Sequence, residues 1–182
     1  MAHIELVHCT GPVPYAQGLA MQRARREAVA RGAAPDTIYL LEHPPTITLG
    51  RKADTAHLLA TPEALRADGF DVTETDRGGD VTYHGPGQLV AYPIIDLNRR
   101  RPSVGWYIRT LEQAVIDTLA TWGLAATRRE GYTGVWIDDA KICAIGVAVH
   151  QWVTHHGLAL DVDPNLTHFR RIVPCGIADR PV

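Results

Sequence analysis

Arg77-Gly78-Gly79-Asp80-Val81-Thr82-Tyr83-His84-Gly85-Pro86-Gly87-Gln88 sets four glycines and a proline around a Thr-Tyr-His cluster. No regular helix tolerates that glycine density, and Pro86 would break one. The stretch reads as a loop, a short strand over Val81 to Tyr83, and a second loop. That second loop feeds the apolar run Leu89-Val90-Ala91-Tyr92-Pro93-Ile94-Ile95. Glycines let a backbone approach a ligand and expose its N–H groups, so one reading is a ligand cradle. The other is a tight glycine hairpin that holds nothing, because a lone glycine-rich run discriminates weakly.

Working outward, Phe70 to Thr75 reads as a strand entering the loop. Before it, Thr61 caps a short helix, with Pro62 at the first helical position and Gly69 closing it. Asp36 to Glu42 and Thr46 to Leu49 read as strands, separated by His43-Pro44-Pro45, where proline cannot pair in a ladder. Ile4 to Val7 is a first strand, and Tyr15 to Arg31 a helix closed by Gly32. Downstream, Ser103 caps a helix over Val104 to Trp122. Its apolar stripe is Tyr107, Leu111, Ala114, Val115, Thr118, Leu119 and Trp122. Leu124 to Thr127, Gly134 to Ile137, Lys141 to His150 and Val153 to Leu160 are strand candidates. His155 and His156 are adjacent in the last of these, so alternation puts them on opposite faces and argues against a metal pair. The tail leaves regular structure at Pro174. Strands outnumber helices, and the two longest helices are separated by several strands. This predicts an α+β fold, a mixed sheet with helices on one face, rather than a repeated βαβ array.

The 182 residues fit a single domain spanning 1–182, with no repeat or linker. At 46% hydrophobic and 21% charged, the composition is that of an ordinary globular protein. A net charge of -2 argues against a general nucleic-acid binder. The N-terminus lacks a basic region followed by an apolar run, and no apolar run approaches a membrane span. Three cysteines, Cys9, Cys143 and Cys175, are too scattered for a disulfide framework or a Cys-x-x-Cys site, which favours a reducing, cytoplasmic setting. Of 18 basic residues only Lys52 and Lys141 are lysine. Coding bias explains that most simply. It still raises the question of what a retained lysine does that arginine does not.

Cys175 sits in a loop between Pro174 and Gly176, open to a substrate. Cys143, inside Ile142-Cys143-Ala144-Ile145-Gly146-Val147, has the context of a buried, inert thiol. Cys9 ends the first strand and reads as structural. A thiol nucleophile needs a base, and Lys141 and His84 are the candidates. Lys141 at a strand end also reads as a plain solvated lysine. Nothing local sets either base beside Cys175.

Arg77 to Gln88 resembles the signature of octanoyl-[acyl-carrier-protein]:protein N-octanoyltransferases, the lipoyl(octanoyl) transferases of lipoate biosynthesis. Leu41-Glu42-His43-Pro44-Pro45 with Thr48-Leu49-Gly50-Arg51 is similar to an earlier block of that family. So are Lys141-Ile142-Cys143-Ala144-Ile145-Gly146, His156-Gly157-Leu158-Ala159-Leu160 and Ile172-Val173-Pro174-Cys175-Gly176-Ile177. The blocks occur in order from about Leu40 to the end of the chain.

The resemblance implies the biotin/lipoate protein ligase-like (class II synthetase-like) fold, a mixed sheet flanked by helices. It implies an acyl-enzyme on Cys175, with Lys141 lowering the thiol's pKa and moving protons. Arg77, Gly78, Gly79, Asp80, Val81, Thr82, Tyr83 and His84 would line the substrate site with Ala144, Ile145, Gly146, Gly157, Leu158 and Ala159. The implied donor is octanoyl-acyl carrier protein. The implied acceptors are lipoyl domains of 2-oxoacid dehydrogenase complexes and the glycine cleavage H protein, with no nucleic acid and no membrane. No ATP or metal is expected, since a thioester carries its own driving force and no Walker-type loop is present. The related ATP-dependent ligases lack the Pro-Cys-Gly cysteine. Family chains usually continue further than Val182, so a closing C-terminal element is an open point. A lipoate or biotin ligase and a non-catalytic binding module are the alternatives.

Overall fold

The computed structural model describes residues 3–174. In chain order the elements are β1 (Ile4–Pro12), α1 (Tyr15–Ala30), β2 (Asp36–Glu42), β3 (Thr46–Leu49), α2 (Pro62–Ala67), β4 (Asp71–Glu74), β5 (Val81–His84), β6 (Gln88–Ile94), α3 (Val104–Ala120), β7 (Thr127–Arg129), β8 (Tyr132–Ile137), β9 (Ala140–His150) and β10 (Val153–Asp161). They form two sheets rather than the one expected: β1-β2-β6-β10-β9-β8-β7, and a smaller β4-β3-β5. His43-Pro44-Pro45 is the reason. It ends β2 in the large sheet and sends the chain away, so that β3 pairs with β4 in parallel and with β5 antiparallel. Only β1–β2 is parallel in the large sheet, which makes it mixed.

The helices cover both faces of the large sheet, not one. Neighbouring residues of β6 show this. Ala91 packs with Tyr107, Leu111, Val115 and Leu119 of α3. Val90, Tyr92 and Ile94 pack in a second cluster with Val29 of α1 and Val13. A strand buried on both faces must be apolar throughout, which accounts for the unbroken run after Gln88. Pro93 removes one backbone donor from that central strand. Beside it the Thr154 hydroxyl donates to Pro93 O (2.7 Å) and accepts from Ile95 N (2.9 Å), tying β10 to the end of β6.

The caps of α2 and α3 form as expected, Thr61 accepting from Ala64 N and Ser103 from Trp106 N. The stripe on α3 is narrower than its periodicity suggested. Tyr107, Leu111, Val115 and Leu119 are buried, but Ala114 and Thr118 face solvent. Trp122 lies past the helix end and is 67% exposed. The buried face instead includes Glu112, satisfied by Arg128 (2.9 Å), Arg109 (3.2 Å) and the Gly134 N–H (3.2 Å). The strand expected over Leu124 to Thr127 begins only at Thr127. A third core, under the small sheet, holds Ile47, Leu65, Phe70, Val72, Val81, Tyr83, Phe169 and Ile172.

Candidate active site

The glycine-rich loop between β4 and β5 is clasped from two sides. On one side Gly78 N–H donates to Val147 O of β9 (2.9 Å). On the other, Arg51 N donates to Arg77 O (3.0 Å) and Lys52 N to Gly79 O (3.1 Å). Gly79 has φ +90°, a conformation side-chain-bearing residues avoid. Gly146 of β9 must also be bare, because a Cβ there would stand 2.8 Å from Gly78 O. The loop root is fixed by Arg77, buried, with its guanidinium donating to the Thr48 carbonyl (2.7 Å) and hydroxyl (2.8 Å). Asp80 is likewise committed: its carboxylate accepts from Val81 N (2.7 Å), Asp54 N (3.1 Å) and His57 Nδ1 (2.6 Å).

Behind the loop lies a cavity of about 390 Å³. It brings together most residues singled out from sequence: Arg77, Gly78, Gly79, Asp80, Thr82, His84, Lys141, Ala144, Ile145, Gly146, Gly157, Leu158 and Ala159. Val81 and Tyr83 do not line it. On β5 they alternate with Thr82 and His84, and their side chains point into the small-sheet core. Cys175, with Gly176 and Ile177, lies outside the described residues. The wall on β9 and β10 is made by directly opposed small residues, Gly146 against Gly157 and Ala144 against Ala159. Close packing explains Gly157, where a Cβ would fall 2.1 Å from Ala91 O.

Lys141 does not reach solvent as a strand-end lysine would; it is 7% exposed. Its Nζ lies 5.1 Å from the centre of the Trp136 ring, a cation–π contact. Lys141 borders the main cavity and also a small pocket shared with Thr82, Gln88, Ala144, Asp161, Phe169 and Pro174. It thus stands beside the residue that precedes Cys175. Asp161 accepts from Gln88 Nε2 (2.7 Å); burial pushes its carboxyl up to about 6, with the Gln88 hydrogen bond opposing the rise.

The competing base, His84, lines the main cavity but not the small pocket. Burial, then the nearby His43 and Arg77, lowers its basicity well below that of a free imidazole. His43 donates from Nδ1 to Val13 O (2.6 Å), leaving Nε2 to accept from Tyr92 OH (2.7 Å). Sequence reasoning missed Tyr15, Tyr92, Tyr132 and His156 on the cavity wall. Tyr92 lay within an apolar run and His156 in a family-like block, while Tyr15 and Tyr132 carried no such signal. Lys52, also on the wall, carried the scarcity signal.

The expectation that His155 and His156 face opposite ways is corrected. His156 has φ +57°, a left-handed residue inside β10, and this turns both rings to one side. Their Nε2 atoms each lie 2.8 Å from a different oxygen of Asp76. Burial opposes ionisation of Asp76, yet these hydrogen bonds hold its carboxyl well below the usual carboxylate range. Burial also drives His156 down to about 4, against the pull of Asp76. The three groups are close enough for an ion. Arg26, 3.4 Å from His155 Nε2, and two buried Nδ1 atoms with no partner among the described residues fit a hydrogen-bonded triad of neutral imidazoles better.

The two-sheet α+β architecture is that of the lipoate-protein ligases. Among solved structures, a lipoate-protein ligase A bound with ATP superposes with TM-score 0.70 at 15% identity, over 98% of this chain and 78% of that one. A bipartite lipoate protein ligase from Thermoplasma acidophilum, described with its E2 lipoyl domain, gives TM-score 0.68 at 19% identity, over 93% and 66%. At such identities the likeness shows the fold alone. The model of the lipoyl protein ligase A/B catalytic domain matches residues 14–182, and the chain belongs to that family. Within it, an octanoyltransferase of Chloroflexus aurantiacus is 54% identical over 179 residues, 97% of this chain and 80% of the relative. An octanoyltransferase of Gloeobacter violaceus is 50% identical over 173 residues, 94% and 75%.

Proposed function

We propose that the protein is an octanoyltransferase of protein lipoylation. It takes an octanoyl group from acyl carrier protein onto Cys175 as a thioester and passes it to a lysine of a lipoyl domain. Identity of about half to the octanoyltransferases supports the activity. The observation that carries the mechanism is Lys141. It is a buried lysine on the wall of a cavity floored by small residues, next to the Pro174 that leads into the Pro-Cys-Gly sequence.

In the first half-reaction the Cys175 thiolate attacks the donor thioester, and Lys141 returns the thiol's proton to the leaving phosphopantetheine thiol. In the second, neutral Lys141 takes a proton from the acceptor lysine, whose amine attacks the acyl-enzyme. The small residues Ala144 and Ala159, directly opposed on the cavity wall, leave room for an apolar chain. Because the donor is already activated, the reaction needs neither ATP nor a metal.

Intact mass after incubation with octanoyl-acyl carrier protein tests this. The expected result is one octanoyl adduct, labile to hydroxylamine, formed without ATP, absent from Cys175→Ala and discharged by a lipoyl domain. A requirement for ATP would instead identify a ligase.

A further inference from the structure

No residue of the 3₁₀ turn Thr55–His57 is buried, so core packing does not hold it. Hydrogen bonds do, and they run in two directions. Toward the glycine loop, His57 Nδ1 donates to Asp80 Oδ2 (2.6 Å) and Asp54 N to Asp80 Oδ1 (3.1 Å). On the other side, Val173 N donates to His57 O (2.8 Å), Leu59 N donates to Arg171 O (2.9 Å), and Leu58 pairs antiparallel with Ile172. His57 therefore carries a bond in each direction. Its side chain holds the loop, and its backbone holds the segment that leads to Pro174 at the small pocket beside Lys141. The loop needs such a hold. Gly78 and Gly79 bring no side chains to anchor it, and glycine has the most backbone freedom to lose. Arg77 fixes one end through Thr48, and Asp80 fixes the other.

We propose that His57 is a positioning residue for donor binding: through Asp80 it holds the glycine loop in the shape that receives the octanoyl group. The inference rests on the reading of the cavity behind that loop as the octanoyl pocket, whose wall includes Gly78, Gly79 and Asp80. His57 is not among the described residues that line the cavity, so it acts through Asp80 rather than on the substrate. To donate to a carboxylate, Nδ1 must carry its proton, and the bond is a short, charge-assisted one. Without it the loop spends part of its time in shapes that do not bind, and the apparent affinity for donor falls by that fraction. Saturating donor draws the loop back to the bound shape, so turnover at saturation is preserved.

The test compares His57→Asn, whose amide Nδ2 can take the place of Nδ1, with His57→Ala and His57→Phe, which donate nothing. Octanoyl-acyl carrier protein and a lipoyl domain are varied in turn. In the Ala and Phe variants kcat/KM for donor should fall about tenfold, the low end of what a hydrogen bond to a charged group is worth. His57→Asn should stay within about threefold of the parent. Saturating turnover and kcat/KM for the lipoyl domain should be unchanged in all three. Asp80→Ala should lose at least as much as His57→Ala, and combining the two should cost little more. Hydrogen exchange of the Gly78, Gly79 and Asp80 amides, which needs no activity, should quicken in His57→Phe. An Asn variant as poor as Ala, additive losses, or a fall in saturating turnover with donor KM unchanged overturns the inference and leaves the octanoyltransferase reading intact. So does loss of the fold in all three variants, which would mark His57 as structural. Unchanged exchange overturns the hold on the loop itself. Quickened exchange in a protein whose parent transfers no octanoyl group removes the octanoyl reading, and the role in donor binding with it.

Discussion

Lys141 and Asp161 meet at the small pocket beside Pro174, and they make separable predictions at the scale of single residues. Arginine keeps its proton at any workable pH, whereas a lysine amine can carry one back and forth. Lys141→Arg should fold normally and lose roughly 10²–10⁴-fold in transfer, the usual worth of a positioned acid–base group. Single-turnover acylation and transfer, measured separately, check this; near-native rates in both would return the search for a base to His84. Asp161 is a case of the opposite kind. Its pKa in the fold is raised from 3.8 to about 6, so its contribution to stability is fully present below the unfolded value and is lost as pH rises through about 6. Asn at this position keeps an acceptor for Gln88 Nε2 and does not ionise. Asp161→Asn should therefore be more stable than the parent at pH 7.5, by about 1–2 kcal/mol, with the difference vanishing near pH 4. Urea midpoints at the two pH values decide it.

At the scale of elements, the glycine loop and the β9–β10 pair respond differently to added side chains. Gly79 is strained for any other residue by its φ of +90°, but a Cβ there meets nothing closer than Arg77 Nη1 at 3.5 Å. Gly79→Val should cost about 1–2 kcal/mol of stability and reduce donor binding by more than that. The Michaelis constant for donor set against thermal midpoint separates the two effects, and a variant that simply fails to fold would mark the loop as structural only. Gly157 has no such latitude. A Cβ there would sit 2.1 Å from Ala91 O and 2.7 Å from Pro93 Cδ, so β6 and β10 would have to separate. Gly157→Ala should destabilise by about 1–3 kcal/mol, read from the urea midpoint.

Over the whole molecule, acid should weaken the fold through its buried histidines. His43, His84, His155 and His156 are all held below the ordinary imidazole pKa, chiefly by burial. A base with a lowered folded pKa contributes stability that is complete above its unfolded value of 6.5 and is lost as pH falls. For His156 the loss runs down to about 4. The urea midpoint should therefore drop steadily between pH 7 and pH 4.5. His155→Asn together with His156→Asn should flatten that slope; an unchanged slope would exclude the pair as its source.

Local chemistry determined much of this protein outright. Thr61-Pro62 and Ser103 set helix starts because caps act on the next three residues. The alternation of β2 and β3 and the glycine density from Arg77 to Gln88 likewise depend only on near neighbours. The ordered blocks from Leu41 to the Pro-Cys-Gly motif were legible for the same reason and pointed to the family. Tertiary structure decided the rest. Two sheets, with helices on both faces of the larger, follow from which strands find each other across long loops, and no periodicity encodes that. Val81 and Tyr83 left the cavity because a second core existed to receive them. His155 and His156 came together because Asp76, about eighty residues earlier in the chain, accepts from both. The left-handed turn at His156 is a strain that sequence alternation cannot anticipate. Lys52 and Lys141 share one cavity only because the Gly50–Lys52 turn and β9 close on the same glycine loop from opposite sides.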